Sequence, residues 1–375
     1  MTEAMVRGWC PSAWRPMMAG DGLLVRVRPR LARMTCEQVL GLCEAAATFG
    51  NGAIDLTNRA GLQIRGVAEA GLSELLERLV ALDLIAADPA VEARPAILVA
   101  PDWLEGDGTG GVAVALAERL GELPDLPGKI AFAVDMVGAP VLTHVPADFR
   151  VERGEGGGLI VRAEGRDRGV AVTEDMVVDT LVAMAVWFAE SGGCEAGRMA
   201  RHRASLPDAL TGQEAPASVR MVPTGPHALG CVYGAPFGRM EADRFAVLMR
   251  RSDAPALRIT PWRQILLEGA APLAIDGFML DPRDDVLRVD ACVGAPACPQ
   301  ATVATRDVAL QLAPHVAGSL HVSGCAKGCA RPSPANVVLT GRGGAFDLGF
   351  DARAGDAPAH HDLSVRQILS LLGAV

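Results

Sequence analysis

A short segment that occurs twice is the feature that most constrains the fold of this chain. Residues 56–66 and 259–269 both begin with an apolar residue and threonine, continue as an alternating strand and end on glycine. Each copy follows a glycine-led strand and a helix, and Thr35 and Gln38 have the spacing of a capping box for the first helix. A β-α-β unit of this size cannot bury its own sheet. The repeat therefore predicts two copies that pair into one pseudo-symmetric domain.

Four cysteines near the C-terminus form two closely spaced pairs. Five residues separate Cys292 from Cys298, and three separate Cys325 from Cys329, in the turns ACVGAPACPQ and SGCAKGCA. A four-iron four-sulfur cluster needs four thiolates, one for each iron. The glycines of these turns, Gly294, Gly324 and Gly328, would allow the backbone to approach such a group. Structural zinc sites favour Cys-x2-Cys pairs, so the spacing favours a cluster over zinc or free thiols.

Length, charge and cysteine number limit the class of protein. A chain of 375 residues is expected to form two or three domains, and a net charge of −9 with 50% hydrophobic residues indicates a soluble globular protein. The longest apolar stretch, 177–188, is too short to cross a bilayer, and we expect no membrane contact. Nine cysteines without an export signal predict a cytoplasmic protein. The cysteines outside the two pairs are predicted to be small buried residues: Cys10, Cys36, Cys43, Cys194 and Cys231.

Basic residues are concentrated at the N-terminus and are almost all arginine. Residues 1–66 hold eight arginines against five acidic side chains, and Lys129 and Lys327 are the only lysines of the chain. The region lacks interleaved aromatic residues and the whole chain is acidic, so we expect no nucleic-acid binding. The arginine-rich region is better explained by binding of a small polyanion, whose carboxylates would accept paired hydrogen bonds from the guanidinium groups. The alternative is a solvated surface that reflects arginine-biased codon usage.

The remaining pattern alternates helices and strands. Strands are predicted at 96–99, 129–135, 159–162 and 170–172, followed by a long helix from Thr173 and a polar linker at 191–223. The predicted fold class is α+β. The predicted domains are a half-domain with an N-terminal arm at 1–75, a central α/β domain at 76–215, a second half-domain at 216–275 and a cysteine-containing domain at 276–375.

Five stretches of the chain resemble the sulfite and nitrite reductase superfamily and, within it, the precorrin-3B synthase family of the aerobic cobalamin pathway. They are RGWCPSAWRPMMAGDGLLVRVRP, IDLTNRAGLQIRGV, LGCVYGAPFGRM, LRITPWRQILLEG and HVSGCAKGCARP. The resemblance implies duplicated ferredoxin-like half-domains that pair into one domain. It also implies two α/β sulfite-reductase-like domains, of which the second holds a 4Fe-4S cluster on Cys292, Cys298, Cys325 and Cys329.

The resemblance also implies a tetrapyrrole-binding surface. Arg59 falls where the reductases use an arginine against tetrapyrrole carboxylates, and Lys129 falls on the first lysine of their Lys-x-Lys strand. The predicted substrate-binding residues are Arg26, Arg28, Arg59, Arg65, Lys129 and Arg263. In relatives that carry sirohaem, the cysteine equivalent to Cys329 bridges to its iron.

Two departures from the reductase pattern redirect the predicted chemistry. Ala131 replaces the second lysine, and Pro95 stands where an arginine is expected, with Arg94 one residue early. Sulfite and nitrite reduction needs several cations around the bound anion, so losing two of them favours a tetrapyrrole as substrate instead.

The implied reaction is a monooxygenation of precorrin-3A to precorrin-3B. The meso carbon between rings A and D would be hydroxylated and an acetate side chain would close a γ-lactone. The resemblance implies dioxygen, a mononuclear non-haem iron and an external electron donor, either NADH through a reductase or a ferredoxin. His227 and His321 are candidate ligands of that iron, but a structural or surface role is favoured for each. The alternatives are a sirohaem-dependent sulfite or nitrite reductase and a non-catalytic iron–sulfur electron-transfer or tetrapyrrole-binding protein.

Overall fold

The computed structural model describes residues 11–373, and these residues form four five-stranded sheets covered by helices. Cys10, which was expected to be buried, lies outside the described residues. Elements are numbered in chain order.

Two of the sheets are built from the repeated segments. The first contains, in spatial order, β1 (Met17–Ala19), β2 (Gly22–Val27), β5 (Leu62–Val67), β4 (Ala53–Leu56) and β13 (Arg239–Glu241). The second contains β11 (Gly225–His227), β12 (Gly230–Gly234), β15 (Gln264–Glu268), β14 (Ala256–Ile259) and β3 (Arg33–Thr35). Each copy therefore gives a short strand to the sheet of the other: β13 pairs with β4, and β3 pairs with β14, both antiparallel. The predicted pairing of the copies is confirmed as a reciprocal strand exchange.

The repeat extends to single backbone angles. Leu31 and Phe237 occupy equivalent positions before β3 and β13, and both have a φ of 55°. Ala60 and Arg263 lie at equivalent positions of the turns after β4 and β14, with φ values of 50° and 61°. Residues other than glycine rarely adopt this left-handed region. The shared outliers therefore show that both copies have the same backbone conformation at these turns.

Helices α1 (Cys36–Phe49), α2 (Leu72–Ala81) and α7 (Ala242–Ser252) cover these sheets. The capping box of α1 is confirmed: the Gln38 N–H donates to Thr35 Oγ1 at 3.2 Å, and the Thr35 N–H donates to Gln38 Oε1 at 2.9 Å. Both copies contribute to one apolar core, in which Ile64 and Phe245 are fully buried. Burying a side chain of this size stabilises a protein by about 1.5–3 kcal/mol.

The central sheet has the order β10, β9, β8, β7, β6. Its strands are β6 (Ala96–Val99), β7 (Ala131–Val134), β8 (Phe149–Arg153), β9 (Leu159–Ala163) and β10 (Val170–Val172), and its helices are α3 (Pro89–Glu92), α4 (Thr109–Arg119), α5 (Val177–Glu190) and α6 (Gly193–Ala196). Strands β6, β7 and β8 are parallel. Lys129, which was predicted to open a strand, lies in the turn before β7. Strand β8 was not among the predicted strands.

The last sheet has the order β16, β17, β18, β19, β20. Its elements are β16 (Val289–Ala291), α8 (Arg306–Leu312), β17 (Leu320–Ser323), β18 (Ala335–Arg342), β19 (Ala345–Ala352), β20 (His360–Leu363) and α9 (Val365–Leu371). Strands β16, β17 and β18 are parallel. The carboxyl ends of β16 and β17 therefore meet at one edge of the sheet, which places the cysteines that follow them side by side.

None of the helices described in residues 11–373 has the length and apolarity of a membrane span. We propose residues 75, 215 and 275 as the domain limits, with the first and third segments joined in one body by the exchanged strands.

Asp135, directly after β7, is a buried carboxylate with an unusual pKa. Its Oδ2 accepts the N–H groups of Val141 and Leu142, both at 2.6 Å. Its pKa is raised from 3.8 to about 7, mainly by burial; the two N–H donors oppose the rise, and the neighbouring Asp102 and Glu152 contribute to it. Between these two pKa values the folded state binds more protons than the unfolded state, so this residue lowers stability as pH rises through that window.

An Asp135→Asn variant is therefore expected to be more stable than the wild type at pH 8 by about 1–3 kcal/mol. The amide keeps an oxygen for the two N–H donors and removes the buried charge. Urea unfolding at pH 5 and pH 8 measures the effect, with the exposed Asp175→Asn as control. If the difference in stability between Asp135→Asn and the wild type were the same at pH 5 and pH 8, the raised pKa of Asp135 would be contradicted.

Candidate cluster site and arginine-lined cavity

The four paired cysteines come together at the edge formed by β16 and β17. Cys292 directly follows β16, Gly324 separates Cys325 from β17, and the Gly324 N–H donates to Cys292 Sγ at 3.2 Å. Burial raises the pKa of the Cys329 thiol; the Lys327 ammonium opposes this rise, and the charges of the other three cysteines add to it. The four sulfurs thus share one electrostatic environment.

The two cysteine loops are held close to each other by small residues and hydroxyl groups. Gly294 and Gly328 have φ values of 69° and 62°, which favour glycine. A Cβ on Gly294 would lie 2.6 Å from Oγ1 of Thr305, and this hydroxyl donates to the Cys292 carbonyl at 2.6 Å. A side chain on Gly294 would therefore displace Thr305 and disturb its hydrogen bond to the first cysteine loop.

The arrangement differs from that of a mononuclear metal site. Within residues 11–373, no three His, Cys, Asp or Glu side chains are placed to hold a single metal ion. A tetrahedral zinc needs four ligands around one point, whereas a four-iron cluster places each thiolate on a separate iron. We therefore assign no ligands to a mononuclear iron.

His321, on β17, adds a second observation beside the cysteines. Its side chain is fully buried, and neither ring nitrogen has a hydrogen-bond partner among the described residues. Burial lowers its pKa to about 4; Asp290 opposes this shift, and Arg331 and Arg263 contribute to it. An apolar core would not leave a neutral imidazole with unpaired nitrogens beside four thiols. These groups are better explained by an iron–sulfur cluster bound between the loops.

Arg65, a predicted substrate-binding residue, lies in a buried ion-pair network. It binds Asp21 through two hydrogen bonds of 2.9 and 2.8 Å and Asp55 at 3.2 Å. Arg306 of α8 reaches the same Asp55 at 3.4 Å. Next to Asp21, the Gly20 N–H donates to the Ala297 carbonyl in the first cysteine loop at 3.0 Å. The network thus ties the first sheet to the cysteine-containing domain.

The second copy contains the same ion pair with its charges exchanged. Arg258 and Glu268 occupy the positions of Asp55 and Arg65, and they are joined at 2.7 Å. Arg33 of β3 also binds Glu268 at 2.7 Å. Each exchanged strand thus lies against a buried acid–arginine pair of the other copy.

Arg263, another predicted substrate-binding residue, contacts the cysteine-containing domain. It binds Asp290 at 2.6 Å and donates to the Ala330 carbonyl at 3.0 Å. Because Ala330 directly follows Cys329, Arg263 joins the second half-domain to the last cysteine loop.

The other predicted cations border a cavity of about 670 Å³ between the first half-domain and the central domain. Its charged lining residues are Arg15, Arg26, Arg28, Arg59, Arg94, Asp88, Glu92 and Asp125. Arg26 lies in β2, an interior strand of its sheet, and Arg28 directly follows that strand. Arg59 donates to the Lys129 carbonyl at 2.7 Å, and Lys129 itself lies between the lining residues Gly128 and Ile130.

The cavity arginines differ in how far protein groups satisfy them. Arg28 pairs with Glu92 at 3.3 Å and donates to the Arg94 carbonyl at 3.1 Å. The half-buried guanidinium of Arg94 lies against Gly121 and shows no hydrogen bond or ion pair to another residue of the described chain. Arg94 was not among the predicted substrate-binding residues; in the sequence it stands out only as a reductase arginine displaced by one residue.

A family model, a solved structure and a curated protein are similar to this chain. Residues 15–82 match the model of the nitrite/sulfite reductase ferredoxin-like half domain. The structure of the Mycobacterium tuberculosis NirA protein superposes with a TM-score of 0.63 at 17% identity, covering 91% of this chain and 77% of that one. A precorrin-3B synthase of Sinorhizobium sp is 31% identical, covering 95% of this chain and 85% of that relative.

The chain belongs to the precorrin-3B synthase family. Membership of this family confirms the resemblance that the sequence motifs indicated. The likeness to NirA confirms the sulfite-reductase-like α+β fold. In this precorrin-3B synthase family member the fold contains an arginine-lined cavity.

The other candidate histidine of this precorrin-3B synthase family member lies elsewhere. His227 is half-buried on β11, and its Nδ1 accepts the Leu229 N–H at 3.2 Å. Burial lowers its pKa, and its charged neighbours are Asp102, Arg220 and Arg258. These contacts place His227 at the junction of the second sheet with the central domain.

Proposed function

We propose that the protein converts precorrin-3A to precorrin-3B as an oxygen-dependent monooxygenase. The observation that carries the proposal is the arginine-lined cavity in a chain 31% identical to a precorrin-3B synthase. A tetrapyrrole derived from uroporphyrinogen carries several carboxylates, and guanidinium groups bind carboxylates through paired hydrogen bonds.

The cavity residues would bind and orient the macrocycle. Arg94, Arg59 and Arg26 would bind its carboxylates, while Arg28, already paired with Glu92, would set the local charge. Cations at the cavity wall also keep the reacting acetate side chain ionised, and the carboxylate is the form that can close the γ-lactone.

Cys292, Cys298, Cys325 and Cys329 would hold a 4Fe-4S cluster, which supplies one-electron transfer from an external donor. That donor would be NADH acting through a reductase, or a ferredoxin. In the overall reaction one oxygen atom enters the substrate and the other leaves as water, with two electrons from the donor and two protons.

The first test is the composition of the anaerobically purified protein. We expect iron, acid-labile sulfide and cluster absorption without a sirohaem band, and turnover of precorrin-3A that requires dioxygen. Tightly bound sirohaem would favour a reductase. Zinc without acid-labile sulfide would contradict the proposal that the cysteines bind a cluster. A loaded cluster with no oxygen-dependent turnover would favour the non-catalytic alternative.

Reduction of sulfite or nitrite has less support. Ala131 stands where the reductases have a second lysine; it is fully buried in β7, and its N–H donates to Asp148. This position therefore offers no cation to an anionic substrate.

An Arg94→Gln variant is expected to bind precorrin-3A about 10- to 100-fold more weakly, since a hydrogen bond to a charged group contributes about 1.5–3 kcal/mol. Glutamine keeps much of the side-chain length but loses the charge. Anaerobic equilibrium titration measures the affinity, and the exposed Arg366→Gln serves as control. Equal affinity of the Arg94→Gln variant and the wild type would place the carboxylates elsewhere.

A further inference from the structure

His321 is a fully buried polar residue that the proposed reaction does not use. It lies in the middle of β17, opposite Asp290 of β16 and Val338 of β18. Leaving a buried donor or acceptor unsatisfied costs about 1–3 kcal/mol, and folded proteins rarely do so. We therefore expect the ring to form a hydrogen bond with a group other than the described side chains.

The protein groups nearest to His321 are engaged with one another. Asp290 accepts from Arg263 at 2.6 Å and from Arg331 at 2.9 Å. Ser323, on the same face of β17, donates its hydroxyl to the Cys325 carbonyl at 2.8 Å. The charged groups that face His321, one carboxylate and two guanidiniums, thus satisfy each other and leave the imidazole without a bond.

The open side of the ring faces the last cysteine loop. A Cβ built on Gly328 would lie 3.7 Å from Cε1 of His321, and Gly328 directly precedes Cys329. Because Gly328 has no side chain, nothing from this residue separates the imidazole from the loop. Gly328 lies between Cys325 and Cys329, so the ring borders the loop whose two thiols would hold the cluster.

We propose that His321 donates a ring N–H to a sulfur of the iron–sulfur cluster and thereby raises its reduction potential. The inference rests on the cluster proposed above. A reduced cluster carries one more negative charge than an oxidised one, so a hydrogen-bond donor stabilises the reduced form more strongly. His321 is a positioning residue in this proposal, because it acts on the electron carrier and not on the substrate.

The test uses the intact protein with its cluster loaded. Pulsed electron paramagnetic resonance of the reduced protein, prepared with ¹⁵N-histidine, should show a histidine nitrogen coupled to the cluster spin. In His321→Phe this coupling should disappear and the reduction potential should become more negative, at unchanged iron and sulfide content. His315→Phe, which removes an exposed histidine of the same domain, should leave both properties as in the wild type.

Each other outcome overturns the inference. A loaded wild-type cluster without histidine coupling, or a His321→Phe potential equal to that of the wild type, would assign the ring to a buried water. Should His321→Phe fail to fold, the coupling in the wild type decides alone. Wild-type protein without acid-labile sulfide would overturn the cluster itself, which separates failure of the proposed function from failure of this inference.

Discussion

Replacing Arg65 with methionine is expected to lower the free energy of unfolding by about 3–5 kcal/mol, because breaking a buried ion pair leaves an uncompensated charge. The Arg65 side chain is 5% exposed and binds both Asp21 and Asp55. Methionine has a similar length and fills most of the volume, so the loss reports on the charge. Urea unfolding followed by circular dichroism measures it.

Arg78→Met is the matched control for this variant. Arg78 pairs with Glu44 at 2.9 Å, but both side chains are largely exposed, and such pairs contribute about 0–1 kcal/mol. If Arg65→Met were no more destabilising than Arg78→Met, the buried network would not stabilise the contact between the first sheet and the cysteine-containing domain.

Replacing Cys292 with serine is expected to remove the cluster and, with it, oxygen-dependent turnover. A serine hydroxyl stays protonated at neutral pH and is a poor ligand for iron, whereas the thiolate is the ligand that clusters require. The change is small in volume, and serine can still accept the Gly324 N–H that Cys292 Sγ accepts now. Iron and sulfide analysis together with visible absorption measures the loss.

Cys194→Ser controls for the loss of a cysteine as such. The prediction that Cys194 is buried was wrong: it is exposed on α6, and its thiol contacts the Asp125 carbonyl at 3.5 Å, away from the four paired cysteines. This variant should keep full iron and sulfide content. A Cys292→Ser protein with wild-type sulfide would show that Cys292 does not bind the cluster.

The sequence predicted the repeated architecture but not the strand exchange. The repeat was visible in the turns and strands that carry Thr57 and Thr260. Strands β3 and β13 have three residues each, too short for an alternating pattern, and their partners are set by tertiary packing. Strand β8 was missed because buried charged residues interrupt it: Arg150 donates to the carbonyls of Leu142 and Thr143, and Glu152 binds Arg162.

The candidate site was predictable where spacing alone carries the chemistry. The cysteine pairs follow from their sequence intervals, and Arg26, Arg28 and Arg59 follow from the arginine-rich N-terminus. Sequence could not separate these arginines from Arg65 and Arg263, since the difference lies in whether a carboxylate from a distant element meets the guanidinium. The unsatisfied ring of His321 was equally invisible, because burial and partner atoms are properties of the fold.

The exchanged strands also constrain how the polypeptide emerges from the ribosome. The first sheet receives its edge strand only when residues 239–241 have been synthesised, after the entire central α/β segment. Until then β4 has an unpaired edge, and exposed strand edges can pair with other chains. The nascent N-terminal half therefore keeps this open strand edge until residues 239–241 have been synthesised.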